Sequence, residues 1–488
     1  MVQFGTAGIR GPVADRVTPA LALAVGEAVG QLARTDPVGS DGHATSRAGS
    51  PVLTPPSERS SGSAPRVVIG RDGRVTGAAL AAAAEAGIAA AGATPVRSGM
   101  VPTPTLAFAS QGRYGIMLTA SHNPPADNGI KLFVDGNEFD SDRERRVAAA
   151  VDADDSRTNW SQWTTPFEAD PLSAYRDRIV EYARRIVPEG TAGDDSWDDV
   201  RVAVDCANGM AALATPQVLR ELGVDVVALN ANVDGFFPGR PSKPTPETIG
   251  DLRRFVADSA IDVGIAHDGD ADRIVLVDSA GEVIHEDSVL AVLARFYTQT
   301  SVQNGDEPPV VVTTPNASGR IDEQVVDAGG RVERVRLGAL HEAVALLTAD
   351  GEDVVFAAEP WKHIHPSLGG WIDGVASAAV LAGLIGREGL ESLREPITER
   401  PYRKVSIDCP DADKSAAMET LETTLPAAFP ASTASLDHGV RLSLPDGSWL
   451  LVRPSGTEPY IRLYAESDAV DDLISRATER IEAVIEEV

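Results

Sequence analysis

Lysine is scarce in this 488-residue chain: of its 43 basic residues only Lys131, Lys243, Lys362, Lys404 and Lys414 are lysine. Cysteine is scarcer still. With Cys206 and Cys409 alone, a disulfide-stapled scaffold is excluded. No apolar run approaches the roughly 18 residues of a membrane-spanning helix, and no positively charged start followed by an apolar stretch is present, so the expected location is cytoplasmic. Positive charge is the largest deficit. Against 72 acidic residues the 43 basic ones leave a formal net charge of −29, which repels nucleic-acid phosphate and anionic lipid, so neither nucleic acid nor membrane is expected as a partner. The acidic, lysine-poor composition reads as a halophilic surface, hydrated by carboxylates whose mutual repulsion concentrated salt screens.

The composition that remains, 43% hydrophobic and 24% charged, is that of globular domains with cores. At roughly 100–200 residues per domain, the length implies three or four of them. Residues 36–65, rich in Ser, Gly, Pro and Thr, hold almost no bulky apolar side chain and are expected to form a mobile surface insertion. Elsewhere short β-branched runs alternate with helical ones: Val67–Gly70 then Gly77–Ala91, Val200–Asp205 then Ala211–Leu222, Val310–Thr314 then Gly319–Ala328. That alternation predicts one βαβ module used three times, with parallel sheets. The last 90 residues differ, with strands at Tyr402–Ile407, Val440–Leu444, Trp449–Val452 and Ile461–Ala465 and a closing helix over Val470–Val488. They predict an α+β domain. The fold class is therefore α/β with four domains: 1–165, 166–283, 284–398 and 399–488.

Four segments carry chemistry. Strand Tyr114–Thr119 runs into Ala120-Ser121-His122-Asn123-Pro124, a tight turn presenting Ser121 as a nucleophile at the carboxyl edge, where such sheets bind ligands. An ordinary polar turn is the alternative. His122, adjacent in sequence, points its side chain elsewhere, so a Ser–His dyad is not implied, but it stays among the catalytic candidates. Strand Ile261–His267 ends in Asp268-Gly269-Asp270-Ala271-Asp272-Arg273. Three carboxylates in five residues repel one another unless a cation sits among them, and a hard divalent ion such as Mg²⁺ suits them. The spacing excludes an EF-hand, since Arg273 and Ser279 stand where Gly and Glu are required. Arg453-Pro454-Ser455-Gly456-Thr457-Glu458-Pro459 joins two strands and gathers the parts of a phosphate cradle. Glu359-Pro360-Trp361-Lys362-His363 follows strand Val354–Ala358 and sets charged groups around an aromatic, suited to sugar hydroxyls; a partly buried loop with a packing tryptophan is the alternative. One such segment falls in each expected domain, as a shared cleft requires.

These residues resemble the α-D-phosphohexomutase superfamily, of the phosphoglucomutase/phosphomannomutase type. The likeness rests on Phe4–Gly11, Thr119–Pro124, Asn128–Lys131, Asp234–Pro238, Asp268–Arg273 and Arg453–Pro459, in that order. It implies three similar mixed α/β domains and a C-terminal domain of another type around a central cleft. It further implies that Ser121 is carried as phosphoserine, and that Ser121, Asp268, Asp270 and Asp272 bind one Mg²⁺. Lys131 and Arg273 would assist proton transfer and steady the transferring group, Arg10 would contact the serine phosphate, and Arg453, Ser455, Gly456 and Thr457 would hold the distal phosphate. The expected partner is a small phosphosugar, with its 1,6-bisphosphate as activator and intermediate, and the chain is expected to be a monomer or homodimer.

The family's sugar loop usually reads Gly-Glu-x-Ser-Gly-His, and here Trp361 and Lys362 replace its Ser and Gly while Glu359 and His363 are kept. A tryptophan there would shrink the pocket towards a pentose phosphate, and Lys362 would add a contact to phosphate. Glucose and mannose phosphates are the expected substrates, with glucosamine or pentose phosphates as alternatives. An Mg²⁺-dependent phosphatase with Asp268 as nucleophile, or a non-catalytic sugar-phosphate binder, is a distant alternative.

Overall fold

The computed structural model describes residues 4–5, 8–38, 64–153, 156–187, 197–198, 200–303, 305, 307–455 and 458–488. Most of the expected insertion, 39–63, and two residues of the phosphate turn, Gly456 and Thr457, lie outside the described residues. The chain forms two compact units, one of Met1–Ile284 with Trp361–Leu393 and one of His285–Pro360 with Arg394–Val488. Among the described residues no helix is long and apolar enough to cross a membrane.

In the first unit the largest sheet runs Ile9–Pro12, Asp127–Val134, Tyr114–Leu118, Arg66–Arg71, Thr94–Met100, Phe167–Glu168. The strands from Tyr114–Leu118 to Phe167–Glu168 are parallel, and their β-branched residues Val67, Val68 and Ile69 are buried, as strands covered on both faces require. The other two strands are antiparallel, so the sheet is mixed rather than purely parallel. Register does the positioning. Leu118 faces Ile130 and Met117 faces Lys131, while Arg10 faces Gly129, which brings Arg10, Lys131 and the loop after Leu118 to one end of the sheet. Helices Pro19–Thr35 and Gly77–Ala90 pack against each other on small residues. A Cβ on Gly26 or Gly87 would collide with the facing backbone.

A second sheet of this unit runs Ile274–Asp278, Val263–His267, Arg201–Asp205, Asp225–Leu229 with the same logic. Val263–His267 is parallel to Arg201–Asp205 and antiparallel to Ile274–Asp278. The serine loop and the aspartate loop therefore occupy equivalent places, each connecting a parallel strand to the antiparallel strand that follows it. The expected helix over Ala211–Leu222 is shorter. A 3₁₀ turn, Met210–Leu213, precedes a helix at Thr215–Leu222, because Pro216 fits only the first helical turn.

The second unit holds a parallel sheet in which Val310–Thr313 lies between Arg331–Arg334 and Val354–Glu359. It also holds an antiparallel sheet ordered Tyr402–Asp408, Tyr460–Glu466, Trp449–Pro454, Val440–Ser443, Thr433–Ser435. Helices Lys414–Ala428 and Val470–Glu487 cover the latter around a core including Leu421, Leu450, Leu463 and Ile481. The strand Thr433–Ser435, fully exposed, carries no apolar alternation and was not foreseen from the sequence.

Candidate active site

The serine loop begins after Thr119, whose N–H still donates to the Gly129 carbonyl at 3.0 Å, and there the chain turns sharply. Ser121 adopts a left-handed backbone (φ 53°), uncommon for a residue with a Cβ and costing roughly 1–2 kcal/mol. Its N–H donates to Thr119 Oγ1 at 2.9 Å. The side chain is fully buried, and its Oγ donates to Asp268 Oδ2 at 2.8 Å.

Asp268, Asp270 and Asp272 are all buried, and one oxygen from each lies within 4.8 Å of the others. Lys131, itself 2% exposed, places Nζ 3.0 Å from Asp270 Oδ2 and 2.7 Å from Asp272 Oδ2. Thr103 Oγ1 donates to Asp270 Oδ2 at 2.6 Å. Arg273 gives its N–H to Asp268 Oδ1 at 3.2 Å and holds Nε 3.8 Å from Asp268 Oδ2 and 3.9 Å from Asp272 Oδ1. Oδ1 of Asp270 and Oδ1 of Asp272 have no hydrogen-bond partner.

The electrostatics follow from that geometry. Burial, then repulsion from Asp272 and Asp270, drives the Asp268 carboxyl well above its ordinary range. Burial also opposes ionisation of Asp272, but Lys131 and Arg273 overcome it and hold Asp272 below the usual carboxylate range. Lys131 is pushed up, since Asp270 and Asp272 outweigh the burial that works against its charge. Two carboxylates are thus charged around one ammonium, a third resists charging, and two buried oxygens are unused. An oxygen-seeking divalent cation fits this set; it would satisfy those oxygens and lower the Asp268 carboxyl.

His122 sits closer to this chemistry than expected. Burial, then Arg273 and Arg10, lowers it to about 3, so it is neutral near pH 7, and its Nδ1 has no hydrogen-bond partner. Arg10 is half-buried on its strand, and its charge acts on Lys131, Asp270 and His122.

Of the sugar-loop residues, Lys362 forms an isolated antiparallel bridge with Arg273, and its charge helps to hold Asp272 ionised. Trp361 (φ 67°) takes the alternative reading: its partly buried ring packs against an apolar cluster that includes Leu252, Val256 and Val275. His363 is 1% exposed and shares a hydrogen bond with Ser377 Oγ at 2.9 Å. Burial lowers it to about 3, leaving a neutral ring inside the unit. In the second unit, Glu359 Oε1 accepts from Gly338 N at 2.7 Å.

In the phosphate turn, also of the second unit, Arg453 donates to Tyr464 Oη at 3.2 Å, and Ser455 is buried with an unpartnered Oγ. Sequence reasoning missed Lys414. Its Nζ donates to the carbonyls of Ser455 (2.9 Å) and Glu458 (2.5 Å) and pairs with Asp411 at 2.5 Å, tying down both arms of the turn. His267 and Arg240 were missed as well. Arg240 pairs with Asp205 at 2.6 Å and donates to the His267 carbonyl at 2.7 Å. The buried His267 ring bonds Thr215 Oγ1 and the Arg273 carbonyl, fixing both ends of the aspartate loop. Lysine scarcity was a usable signal for Lys414; His267 and Arg240 had none beyond proximity to a motif.

Comparison with known proteins agrees with this geometry. Phosphoglucomutase/phosphomannomutase family descriptions match residues 57–158 (α/β/α domain I), 180–281 (α/β/α domain II) and 407–484 (C-terminal domain). A phosphopentomutase from Thermococcus kodakarensis is 35% identical over all of this chain and 99% of its own length. A protein described as "probable phosphoglucosamine mutase" from Methanopyrus kandleri is 38% identical over 98% of this chain and 99% of its own. A phosphoglucomutase/phosphomannomutase family protein of Burkholderia thailandensis shares the fold, with a TM-score of 0.79, 22% identity and coverage of 100% of this chain and 98% of that one. The chain belongs to the α-D-phosphohexomutase superfamily, and it is a mutase, an isomerase that relocates a phosphoryl group.

Proposed function

We propose that the chain is an Mg²⁺-dependent phosphosugar mutase in which phosphorylated Ser121 exchanges its phosphoryl group with the sugar. The observation that carries the reading is the 2.8 Å contact of Ser121 Oγ with Asp268, beside a lysine spanning Asp270 and Asp272. In the forward half-reaction the bond between Ser121 Oγ and phosphorus breaks as one from the sugar hydroxyl oxygen to phosphorus forms. The proton lost by the sugar hydroxyl ends on the departing Ser121 Oγ, which is left as the free hydroxyl that donates to Asp268 Oδ2, and the product is a sugar bisphosphate. In the return half the other phosphoryl group goes back to Ser121. Phosphoryl transfer asks mainly for charge neutralisation and in-line placement. When bound, Mg²⁺ supplies part of that neutralisation, and Asp268, Asp270 and Asp272 would hold it. Lys131, kept charged by two aspartates, neutralises further and is the proton donor nearest the cluster. Arg10 and Arg273 flank the transferring group. Neutral His122 contributes a ring nitrogen and no charge. Glu359, Lys362 and His363 would set the sugar's orientation, with His363 acting from a buried position. Arg453, Ser455, Gly456 and Thr457 would hold the distal phosphate, turning remote binding into alignment. The reading includes four domains, divided near residues 165, 283 and 398.

Glucosamine phosphate is the substrate favoured by the relative from Methanopyrus kandleri, ahead of the glucose and mannose phosphates expected from the sequence. The Thermococcus kodakarensis relative favours a pentose phosphate as the second reading. The deciding assay offers the 1-phosphates of glucosamine, ribose, glucose and mannose in concentrated KCl with Mg²⁺ and a trace of the matching bisphosphate. A tenfold preference, about 1.4 kcal/mol in transition-state binding, assigns the substrate. Release of inorganic phosphate in step with substrate loss would instead make the chain a phosphatase.

A further inference from the structure

One buried arginine has no part in the proposed chemistry, yet it holds the serine loop. Arg74 is 1% exposed and engages all five of its guanidinium and Nε hydrogens. Nε donates to Asp72 Oδ2 at 3.0 Å. Nη1 donates to the carbonyls of Pro124 (2.5 Å) and Asp127 (2.9 Å), and Nη2 to those of Ser121 (2.9 Å) and Asn123 (2.8 Å). Four carbonyls of one loop converge on a single cation. The same Asp72 Oδ2 accepts from Thr119 Oγ1 at 2.7 Å, and that hydroxyl in turn accepts the Ser121 N–H. The Ser121 residue is therefore gripped at its N–H through Thr119 and at its C=O through Arg74, both anchored on Asp72.

The open face of the guanidinium is capped from the segment Asp234–Pro238, whose purpose the chemistry above leaves unexplained. The Phe237 ring lies 5.1 Å from the Arg74 guanidinium carbon, a cation–π contact in a desolvated setting. Phe237 is 6% exposed with φ 52°. A Cβ at Gly235 would come within 2.7 Å of Arg74 Cα, and one at Gly269, inside the aspartate loop, within 2.6 Å of the Ser121 carbonyl oxygen. The 234–238 segment and the aspartate loop thus both press on the backbone that Arg74 organises.

We infer that Arg74, capped by Phe237, is a positioning residue for phosphoryl transfer: it holds the left-handed Ser121 backbone so that Oγ points at Asp268. The inference rests on Ser121 being the phosphoryl carrier. A lysine keeps the charge opposite Asp72 but has only three donors in no fixed plane, so at least two loop carbonyls lose their partner. Misplacement of a reacting group by about 1 Å costs roughly 10²-fold in rate.

The test is steady-state kinetics of Arg74→Lys and Phe237→Leu on the best substrate of the four-sugar panel, beside Ser121→Ala. Ser121 phosphorylation by glucose 1,6-bisphosphate is followed in parallel by intact-mass spectrometry. Arg74→Lys should lower kcat and the Ser121 phosphorylation rate by about 100-fold with KM within threefold. Phe237→Leu should lower both rates about tenfold. A residue that served folding alone would reduce the melting temperature and the folded fraction while each folded molecule kept its kcat. Arg74→Lys with kcat within threefold of wild type, or with its loss confined to KM, overturns the inference. Should Arg74→Lys not fold, Phe237→Leu decides alone, and wild-type kcat in that folded variant overturns it. Full activity in Ser121→Ala refutes the mutase reading itself, whereas an inactive Ser121→Ala beside a fully active Arg74→Lys refutes only the role of Arg74.

Discussion

Two regions of this protein bury carboxylates, and they treat them in opposite ways. In the second unit, Glu466 is 1% exposed and saturated: Oε1 takes Arg320 Nη2 at 2.9 Å, and Oε2 takes Ser318 Oγ and Trp449 Nε1. Arg320 also donates to Ser288 Oγ at 2.7 Å, which passes a hydrogen bond to Glu399. In the first unit, Asp270 and Asp272 each keep a buried oxygen without a partner, and Asp268 is driven towards protonation. A saturated network stabilises and fixes its surroundings. An unsaturated one is costly unless something else completes it, and in the proposed reading a cation and a phosphorylated serine would do so. Asp287, beside the saturated network, is the exception within its region, with one orphaned oxygen and no chemistry near it in sequence.

The contrast can be broken or sharpened by substitution. Ser121→Ala is expected to have the largest effect, a loss of turnover on the order of 10⁴-fold or more with an unaltered thermal transition; residual activity near wild type would erase the distinction between the regions. Next comes Glu466→Gln, which strands a buried Arg320 charge and should cost about 3–5 kcal/mol of stability, read by denaturant unfolding, while kcat of the folded protein is unchanged. Asp287→Asn is smaller and depends on pH. Burial, then Glu286, raises Asp287 from 3.8 to about 7 despite Arg320. A carboxyl raised in the folded state adds stability in full below about pH 4 and loses it as pH climbs to about 7. Wild type should therefore lose more than about 1 kcal/mol relative to Asp287→Asn between pH 4 and pH 8, a difference that melting curves of both proteins at the two pH values would reveal. Smallest is Lys414→Met, which frees the phosphate turn and should raise KM roughly fivefold with kcat nearly constant; an equal fall in kcat would move Lys414 from binding to alignment.

Much of the candidate site was legible because short motifs carry their own local geometry. A strand followed by small residues and proline can only turn, so the Ser121 loop was visible, and three acids in five residues announce an electrostatic problem in any fold. Lys131 was legible through its motif and its rarity. Arg74 was not, since an arginine in Arg71-Asp72-Gly73-Arg74 reads as surface until the fold brings five acceptors around it. For Trp361 the sequence left a pocket and a packing role both open, and its partly buried ring packs on an apolar cluster. The mixed character of the sheets came from the family resemblance and not from the pattern, because the alternation of strand and helix does not reveal that Asp127–Val134 and Ile274–Asp278 return antiparallel.

By itself the sequence determined the classes of residue and the order in which they come: an acidic chain, repeated strand–helix modules, a serine turn, an aspartate turn and a phosphate turn. Those properties depend on neighbours along the chain, within reach of local propensity and charge. Only the tertiary structure decided which groups meet. Lys131 lies more than a hundred residues before Asp270 and Asp272, and Arg10 more than a hundred before Gly129. Hydrogen-bond register in two sheets, set by burial of their apolar strands, is what joins them.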